Sequence, residues 1–481
     1  MTLDWKVCSQ ARLSRDPRFD GKFFIGVRST KIYCRSICPV PTVKEKNVLY
    51  FPTAAAAAEA GFRPCLRCRP ECSPDTPAWF GTSTTVSRAL RLIGESGLEA
   101  GGMDGLAIRL GVSSRHLRRL FMRHLGAPPS AVVHTRRLHF AKKLIDETSL
   151  SMTNVALASG FGCVRRFNAT IRKTYKRTPT QIRRLTRQKS VPIENQYFFQ
   201  LRFRPPYHWK GMIAFLAAHA TPGVEAVSDD SYRRSISVNG CHGYFDVSLD
   251  AANNTLAVRV QIASPQSLYH IVERIRRMFD LNADWSAIAQ SLGADSQLKA
   301  RILVEPGVRV PGCWDGFELT THAIIRQEIT AANATAIAAR IAKSFGEPTS
   351  APAGLTHVFP SAKILASAKL TSAGVNKKKA ETIRTLARAV CDGKLSFDRI
   401  VDSDAFLSRL REIPGIHPRT AQYVAMRALG EPDVLPTADK TTMRVLGVHT
   451  IRDFEKRAKS WRPWRSYASM YLWTAARRSS L

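Results

Sequence analysis

Four cysteines in two short pairs constrain the fold of this chain more than any other feature. Cys34 and Cys38 lie in YCRSICP, and Cys65 and Cys68 lie in RPCLRCRP, with 26 residues between the two pairs. Each pair can supply two thiolates from one tight turn, and four thiolates close a tetrahedral zinc site. The spacing therefore predicts a small domain that binds Zn2+. An all-thiolate site also leaves sulfur electron-rich and able to attack an electrophilic carbon.

The residues around these cysteines resemble the zinc domain of Ada-type adaptive-response proteins over residues 4 to about 72. The motifs are DPRFDGKFFIGVRSTKIYCRSICP and AGFRPCLRCRP. The resemblance implies that Cys34 irreversibly accepts a methyl group from a methylphosphotriester in the DNA backbone, while zinc stays bound. Methylation removes one negative charge beside DNA and so favours DNA binding. The alternative is that zinc only holds the small domain together.

The positive charge of the chain is concentrated in a helical stretch. Residues 84–190 contain 21 basic and 5 acidic residues, a net charge of +16 out of +34 for the whole chain. Such an excess of cations is typical of proteins that bind a polyanion, and it favours nucleic acid over a membrane surface as the partner. No run of about 18 apolar residues is present, so we expect no membrane span.

Two copies of a helix-turn-helix pattern fill this basic stretch. The first is LAIRLGVSSRHLRRLFMRHLGAPPSAVVHTRRL, with its second helix opening at Ser113 and Ser114, and the second is MTNVALASGFGCVRRFNATIRKTYKRTPTQIRR. The pair resembles the AraC-type regulator domain, which implies that two recognition helices enter successive major grooves. By that resemblance the DNA-facing residues are Arg115, His116, Arg118 and Arg119 in the first copy and Arg165, Arg166 and Asn168 in the second. The core-facing residues are Phe121, Phe161 and Phe167.

A third motif, IPGIHPRTAQYVAMRALG at 413–430, predicts a helix, a Pro-Gly turn and a second helix. Backbone amides at the start of the second helix can bind a phosphate group. Asp439 follows in DVLPTADKTTMRVLGV. A carboxylate held beside a sugar stabilises the oxocarbenium-like cation that develops when a glycosidic bond breaks. The alternative is that Asp439 is only a helix N-cap.

About 280 residues from position 197 onward are similar to AlkA-type 3-methyladenine DNA glycosylases, including their N-terminal antiparallel sheet domain. The similarity is carried by YFFQLRFRPPYHWKGMIAFLAAHA from 197, VPGCWDGFELTTHAIIRQEIT from 310 and WRPWRSYASMYLWTA from 461. It implies that Asp439 is catalytic. It also implies that Phe215, Tyr423 and Trp473 line the base pocket, where aromatic faces attract cationic alkylated purines. Core packing is the alternative role for Phe215 and Tyr423.

The hairpin motif also indicates which reaction to expect. Its expected DNA contacts are Gly415, His417 and Arg419. Arg419 stands where a lyase of this superfamily carries a Schiff-base lysine, so we expect hydrolysis without strand cleavage.

The chain departs from the family at three positions. His417 replaces the second glycine of the hairpin, Glu328 falls where an apolar wedge is expected, and Ala438 precedes the catalytic position.

Together these patterns predict a multidomain α+β protein. The expected parts are a small four-cysteine zinc methyl-acceptor domain at 1–75, an all-α double helix-turn-helix domain at 84–187, an antiparallel sheet domain at 194–305, and an all-α helix-hairpin-helix glycosylase domain at 306–481. We expect a cytoplasmic, nucleoid-associated bacterial protein that repairs alkylated DNA and activates transcription. Its expected partners are alkylated DNA, promoter DNA and RNA polymerase, with Zn2+ as the cofactor.

The sequence is also compatible with two other hypotheses. In one, the chain is an alkylation-responsive regulator whose glycosylase-like domain binds DNA without cleaving a base from it. In the other, the chain is a general zinc-stabilised DNA-binding protein without methyl transfer.

Overall fold

The computed structural model describes residues 4–74, 84–96, 102–185, 193–352, 354–397, 403–436 and 440–478. Tertiary contacts divide the chain into two compact units. Unit 1 comprises Met1–Pro205, Asp250–Glu273 and Leu281–Ala283, and unit 2 comprises Pro206–Leu249, Arg274–Asp280 and Asp284–Leu481. Within the described ranges, none of the helices combines the length and apolar character that crossing a membrane requires.

The first part of unit 1 is a small sheet with two helices. Its elements are α1 (Trp5–Ser14), β1 (Phe24–Val27), β2 (Ile32–Arg35), β3 (Val48–Phe51), α2 (Ala54–Glu59) and β4 (Arg63–Pro64). The strand order is β3-β1-β2-β4, with β4 parallel to β2 and the other pairs antiparallel. The register pairs Ile25 with Cys34. The cysteine-bearing edge of this sheet packs into a core with Cys8, Phe23 and Val48.

Seven helices follow among the residues of unit 1 that the structure describes between 84 and 185. They are α3 (Thr84–Ser96), α4 (Gly102–Arg109), α5 (Ser114–Leu125), α6 (Pro129–Glu147), α7 (Met152–Ala158), α8 (Val164–Tyr175) and α9 (Pro179–Leu185). The two predicted helix-turn-helix copies are therefore α4–α5 and α7–α8. Ser113 caps α5, since its side chain accepts a hydrogen bond from the His116 amide at 3.2 Å. The predicted core residues Phe121, Phe161 and Phe167 are buried.

A strand-rich region comes next. Its elements are β5 (Gln196–Arg202), α10 (Trp209–Ala217), β6 (Glu225–Val227), β7 (Ser231–Val238), β8 (Cys241–Asp250) and β9 (Thr255–Ile262). In unit 1, β5 pairs antiparallel with β9. In unit 2, β7 pairs antiparallel with both β6 and β8. The period-two patterns of SYRRSISV, YFDVSL and TLAVRVQI predict β7, β8 and β9, and these strands are confirmed.

The rest of the chain is helical. Its elements are α11 (Leu268–Met278), α12 (Trp285–Leu292), α13 (Ser296–Val304), α14 (Gly316–Ile325), α15 (Ala331–Phe345), α16 (Ala362–Leu365), α17 (Lys377–Cys391), α18 (Ser403–Arg411), α19 (Pro418–Arg427), α20 (Lys440–Leu446), α21 (Ile451–Ala458) and α22 (Arg465–Arg478). One apolar core joins α14, α15, α17, α18 and α19, with Ile324, Ile341, Leu386 and Val424 among its members. The α18–α19 hairpin is thus anchored in this core by the apolar faces of its two helices.

Candidate functional site

The four predicted zinc ligands come together at one end of the small sheet. Cys34 lies in β2 and Cys38 follows it, while Cys65 and Cys68 follow β4. Their Sγ atoms all lie within 4.8 Å of one another, and all four residues are buried. A tetrahedral site with Zn–S bonds of about 2.3 Å places its sulfurs about 3.8 Å apart. Four closely spaced thiols of this kind fit Zn2+. Cys34 keeps 6% of its surface exposed.

Neighbouring polar groups hold the cysteine loops in place. The backbone amide of Arg35 donates to Cys68 Sγ at 3.4 Å, and Arg35 Nη1 donates to the Cys68 carbonyl at 3.1 Å. The same guanidinium is paired with buried Asp20, with Nε 2.8 Å from Oδ1. Hydrogen bonding among the thiols, with Cys34 as the largest contributor, lowers the pKa of Cys38 to about 7. The same hydrogen bonding lowers the pKa of Cys65 and raises the pKa of Cys34 and of Cys68. Bound Zn2+ would hold all four sulfurs as thiolates, the form that binds metal and attacks carbon.

A buried charged cluster joins the second cysteine pair to helix α6. Glu71 lies three residues after Cys68, and its Oε1 is 3.3 Å from Lys142 Nζ. Lys142 also pairs with Asp146, and Arg69 Nη2 lies 3.0 Å from Asp146 Oδ2. All these residues belong to unit 1, so these ion pairs join the zinc end to the long helix of the regulator region within one compact unit.

A second link starts beside the expected methyl acceptor. The Tyr33 hydroxyl group lies 2.8 Å from His139 Nε2, and Tyr33 is fully buried next to Cys34 in the chain. His139 belongs to α6, which connects the two helix-turn-helix copies. The strand that carries Cys34 is therefore in direct contact with the regulator region of unit 1.

The predicted DNA-facing residues lie on the outer faces of α5 and α8. In α5, Leu117, Phe121 and Leu125 are buried, and in α8, Phe167, Ile171 and Tyr175 are buried. The predicted contact residues lie between these core positions. Arg115, Arg118, Arg119, Arg165, Arg166 and Asn168 are at least partly exposed, and His116 lies beside Arg119. Both helices thus present cations to solvent, as a DNA-binding surface requires.

The hairpin between α18 and α19 has the predicted turn. Gly415 has a φ of +89°, and a Cβ at this position would lie 2.3 Å from Thr382 Oγ1, so only glycine fits. His417 and Arg419 are exposed at the start of α19. Because His417 points into solvent space, its larger side chain leaves the turn itself intact.

The turn that contains Glu328 lies beside this hairpin. Gln327 Nε2 donates to the Gly415 carbonyl at 3.2 Å and to Thr420 Oγ1 at 2.9 Å. Glu328 itself has a φ of +61° and is not buried. The carboxylate thus occupies a surface turn next to the expected phosphate contact.

Two of the three predicted base-pocket residues meet in unit 2. Phe215 on α10 and Tyr423 on α19 both contact the guanidinium of Arg427, whose Cζ lies 4.8 Å and 5.4 Å from the two ring centroids. Tyr423 and Arg427 line a pocket of unit 2, whereas Phe215 is buried and is not among the described residues that line it. Trp473 lies half-buried on α22 and is not among the described residues that line this pocket. Asp439 and Ala438 lie outside the described residues.

Several polar groups of this pocket escape prediction from the sequence. Arg234 on β7 pairs with Glu318 on α14, and its Nη1 lies 3.1 Å from Glu225 Oε1. Burial raises the pKa of Glu318 to about 7, although the adjacent Arg234 lowers it. Burial, followed by the positive charges of nearby arginines, lowers the pKa of His322 to about 3. In the sequence, the pocket is indicated only by Arg427. This residue lies four residues after Tyr423, on the apolar side of the same helix.

Comparison with protein-family models matches three consecutive regions. Residues 7–71 match the metal-binding domain of Ada, residues 106–185 a helix-turn-helix domain, and residues 198–315 the AlkA N-terminal domain. The first match covers all four cysteines, so the prediction of a Zn2+ site is confirmed. The multidomain α+β fold is confirmed as well.

One sequence relative and one solved structure of similar fold match the second half of the chain. The chain is 32% identical over 279 residues to DNA-3-methyladenine glycosylase 2 of Escherichia coli, covering 57% of this chain and 96% of that protein. The structure of a 3-methyladenine DNA glycosylase from Archaeoglobus fulgidus aligns with a TM-score of 0.53 at 20% identity, covering 59% of this chain and 99% of that chain. Fold and site together define a class: a zinc-binding helix-turn-helix regulator joined to a DNA-glycosylase fold.

One relative contains the whole arrangement. The chain is 37% identical over 487 residues to the probable bifunctional transcriptional activator/DNA repair enzyme AlkA of Mycobacterium tuberculosis, covering 98% of this chain and 96% of that protein. The chain therefore belongs to the family of these bifunctional Ada–AlkA fusion proteins.

Proposed function

We propose that this protein couples two kinds of DNA alkylation repair to transcriptional activation. The observation that carries the proposal is the 37% identity to a bifunctional activator and repair enzyme over nearly the full length of both chains. We assign the four functional parts to 1–75, 84–187, 194–305 and 306–481. The substrate is double-stranded DNA, so we place the protein in the cytoplasm at the nucleoid, with RNA polymerase as a further partner.

In the first activity, Cys34 accepts a methyl group from a methylphosphotriester. Bound Zn2+ would keep the sulfurs of Cys34, Cys38, Cys65 and Cys68 deprotonated and nucleophilic. Cys34 Sγ bonds to the methyl carbon while the methyl C–O bond breaks. The electron pair stays on the phosphate oxygen, which restores an ordinary diester. The site loses one negative charge, and its affinity for DNA rises.

The regulator region reads promoter DNA. We assign the contacts to the exposed faces of α5 and α8, which carry Arg115, Arg118, Arg119, Arg165, Arg166 and Asn168, with His116 at the edge of the first face. The support is the buried opposite face of each helix, which leaves these cations facing solvent. The ion pairs between Lys142 and the loop after Cys68 connect this region to the zinc end.

In the second activity, the C-terminal region hydrolyses the bond between an alkylated base and its sugar. The glycosidic C–N bond breaks with its electron pair on the base, and water adds to the sugar cation and releases a proton to the solvent, leaving an abasic site. We assign stabilisation of that cation to Asp439 and the base pocket to Phe215, Tyr423 and Trp473. Gly415, His417 and Arg419 at the hairpin are assigned to the DNA backbone.

Base excision by wild type and Asp439→Asn on methylated duplex DNA tests the second activity. We expect the variant to lose about 100-fold or more in rate, because a preorganised charge beside the reacting centre is removed. Asp392→Asn, at an exposed carboxylate paired with Lys394, is the control and keeps the wild-type rate. Equal, negligible excision by wild type and Asp439→Asn would contradict the glycosylase assignment and favour a regulator that only binds DNA.

A further inference from the structure

A buried arginine forms one wall of the proposed base pocket. Arg427, at the end of α19, is 6% exposed. Its Nε donates to the Pro311 carbonyl at 2.9 Å, its Nη2 to the Gly312 carbonyl at 2.7 Å, and its Nη1 to the Tyr423 hydroxyl oxygen at 2.6 Å. Three directed hydrogen bonds from one planar fork fix the position of the guanidinium and of the Tyr423 ring.

The same guanidinium contacts two aromatic rings, of which Tyr423 lines the pocket and Phe215 is buried. Its Cζ lies 4.8 Å from the centroid of Phe215 and 5.4 Å from that of Tyr423. Phe215 also stacks on His219, with ring centroids 4.2 Å apart and an interplanar angle of 13°. The cation that these rings contact in the folded chain is therefore Arg427.

The charge of Arg427 has no carboxylate partner among the residues that the structure describes. Its hydrogen-bond acceptors are two carbonyl groups and a phenol. Glu225 and Glu318, which line the same pocket, are paired with Arg234 instead. The depressed pKa of His322, about 3, reflects burial first and then the charges of Arg234, Arg326 and Arg427. The pocket thus contains a fixed positive charge in a desolvated place.

We propose that Arg427 is a specificity-determining residue that favours the release of uncharged alkylated bases over cationic ones. The inference rests on the glycosylase function proposed above. When the glycosidic bond of an uncharged base breaks, the base takes the electron pair and becomes an anion. When the bond of a cationic base breaks, the base leaves neutral.

A fixed guanidinium stabilises a developing anion and gives no such help to a neutral leaving group. It also repels a cationic base in the bound state. Both effects act in the same direction, so loss of the charge lowers the release of uncharged bases more than that of cationic ones.

Single-turnover excision from two duplexes tests the proposal. One contains cationic N7-methylguanine and the other contains uncharged 1,N6-ethenoadenine. For Arg427→Met we expect the ratio of uncharged to cationic release to fall at least tenfold from the wild-type ratio, since one preorganised electrostatic contact typically changes a rate by about 100-fold. Arg427→Lys keeps the charge and retains most of the ratio. Arg388→Met removes an exposed arginine and leaves the ratio unchanged.

Arg427→Gln guards against a folding defect, because its amide can still donate to the Pro311 or Gly312 carbonyl while the charge is gone. We expect the same fall in ratio as for Arg427→Met. Equal losses on both duplexes, or a ratio within threefold of wild type in both uncharged variants, would overturn the proposal and make Arg427 purely structural. Failure of the wild type to release either base would instead count against the glycosylase function itself.

Discussion

Replacing Lys142 by methionine tests whether buried ion pairs hold the zinc end of unit 1 onto helix α6. The Lys142 side chain is 3% exposed, and its partners Glu71 and Asp146 are each 1% exposed. Removing one partner of a buried pair leaves an uncompensated charge, which costs about 3–5 kcal/mol. Arg69 still lies 3.2 Å from Glu71 and 3.0 Å from Asp146. We therefore expect the lower end, about 3 kcal/mol.

Amide hydrogen exchange in α6 of the zinc-loaded full chain measures this loss locally. A loss of about 3 kcal/mol corresponds to exchange roughly 100-fold faster. Arg18→Met is the matched control, since Arg18 lies only 2.6 Å from Asp16 but its side chain is 58% exposed. A surface pair of that kind contributes about 0–1 kcal/mol. If α6 in Lys142→Met exchanges no faster than in Arg18→Met, the buried ion pairs contribute no more to stability than an exposed pair does.

Two further predictions concern unit 2. Burial raises the pKa of Asp280 from 3.8 to about 6, although Arg309 and a 2.8 Å hydrogen bond from Tyr467 oppose the shift. The protonated carboxyl group therefore stabilises the fold below pH 3.8. This contribution of about 3 kcal/mol is lost as the pH rises to 6. Urea unfolding of wild type and Asp280→Asn across that range should differ by this slope, and parallel pH profiles would contradict it. Gly415→Ala should weaken DNA binding at least tenfold, because a Cβ at φ +89° meets Thr382 Oγ1 at 2.3 Å. Unchanged binding in a DNA titration would exclude the hairpin as a backbone contact.

Local spacing explains which features of this protein the sequence predicts. The two cysteine pairs each lie within five residues, and the apolar positions Leu117, Phe121 and Leu125 recur every four residues. Spacings of that length read directly as a metal site and as one face of a helix. The strand alternation of TLAVRVQI is equally local, and it identifies β9.

Pairings between distant residues explain what the sequence does not predict. Glu71 and Lys142 are 71 residues apart, and Arg234 and Glu318 are 84 apart. In sequence, Lys142 is one more cation in a basic helical stretch, whose charges are expected to face solvent. Its burial depends on which loop packs against α6. Asp439 remains a prediction, since it lies outside the described residues.

We propose above that Cys34 of the four-thiol site is a methyl acceptor. Mass spectrometry of the zinc-loaded chain after incubation with DNA carrying methylphosphotriesters tests it most directly. We expect the peptide with Cys34 to gain the mass of one CH2, the peptides with Cys38, Cys65 and Cys68 to stay unmodified, and zinc to stay bound. An unmodified Cys34, with all methylphosphotriesters still present in the DNA, would contradict methyl transfer to this residue.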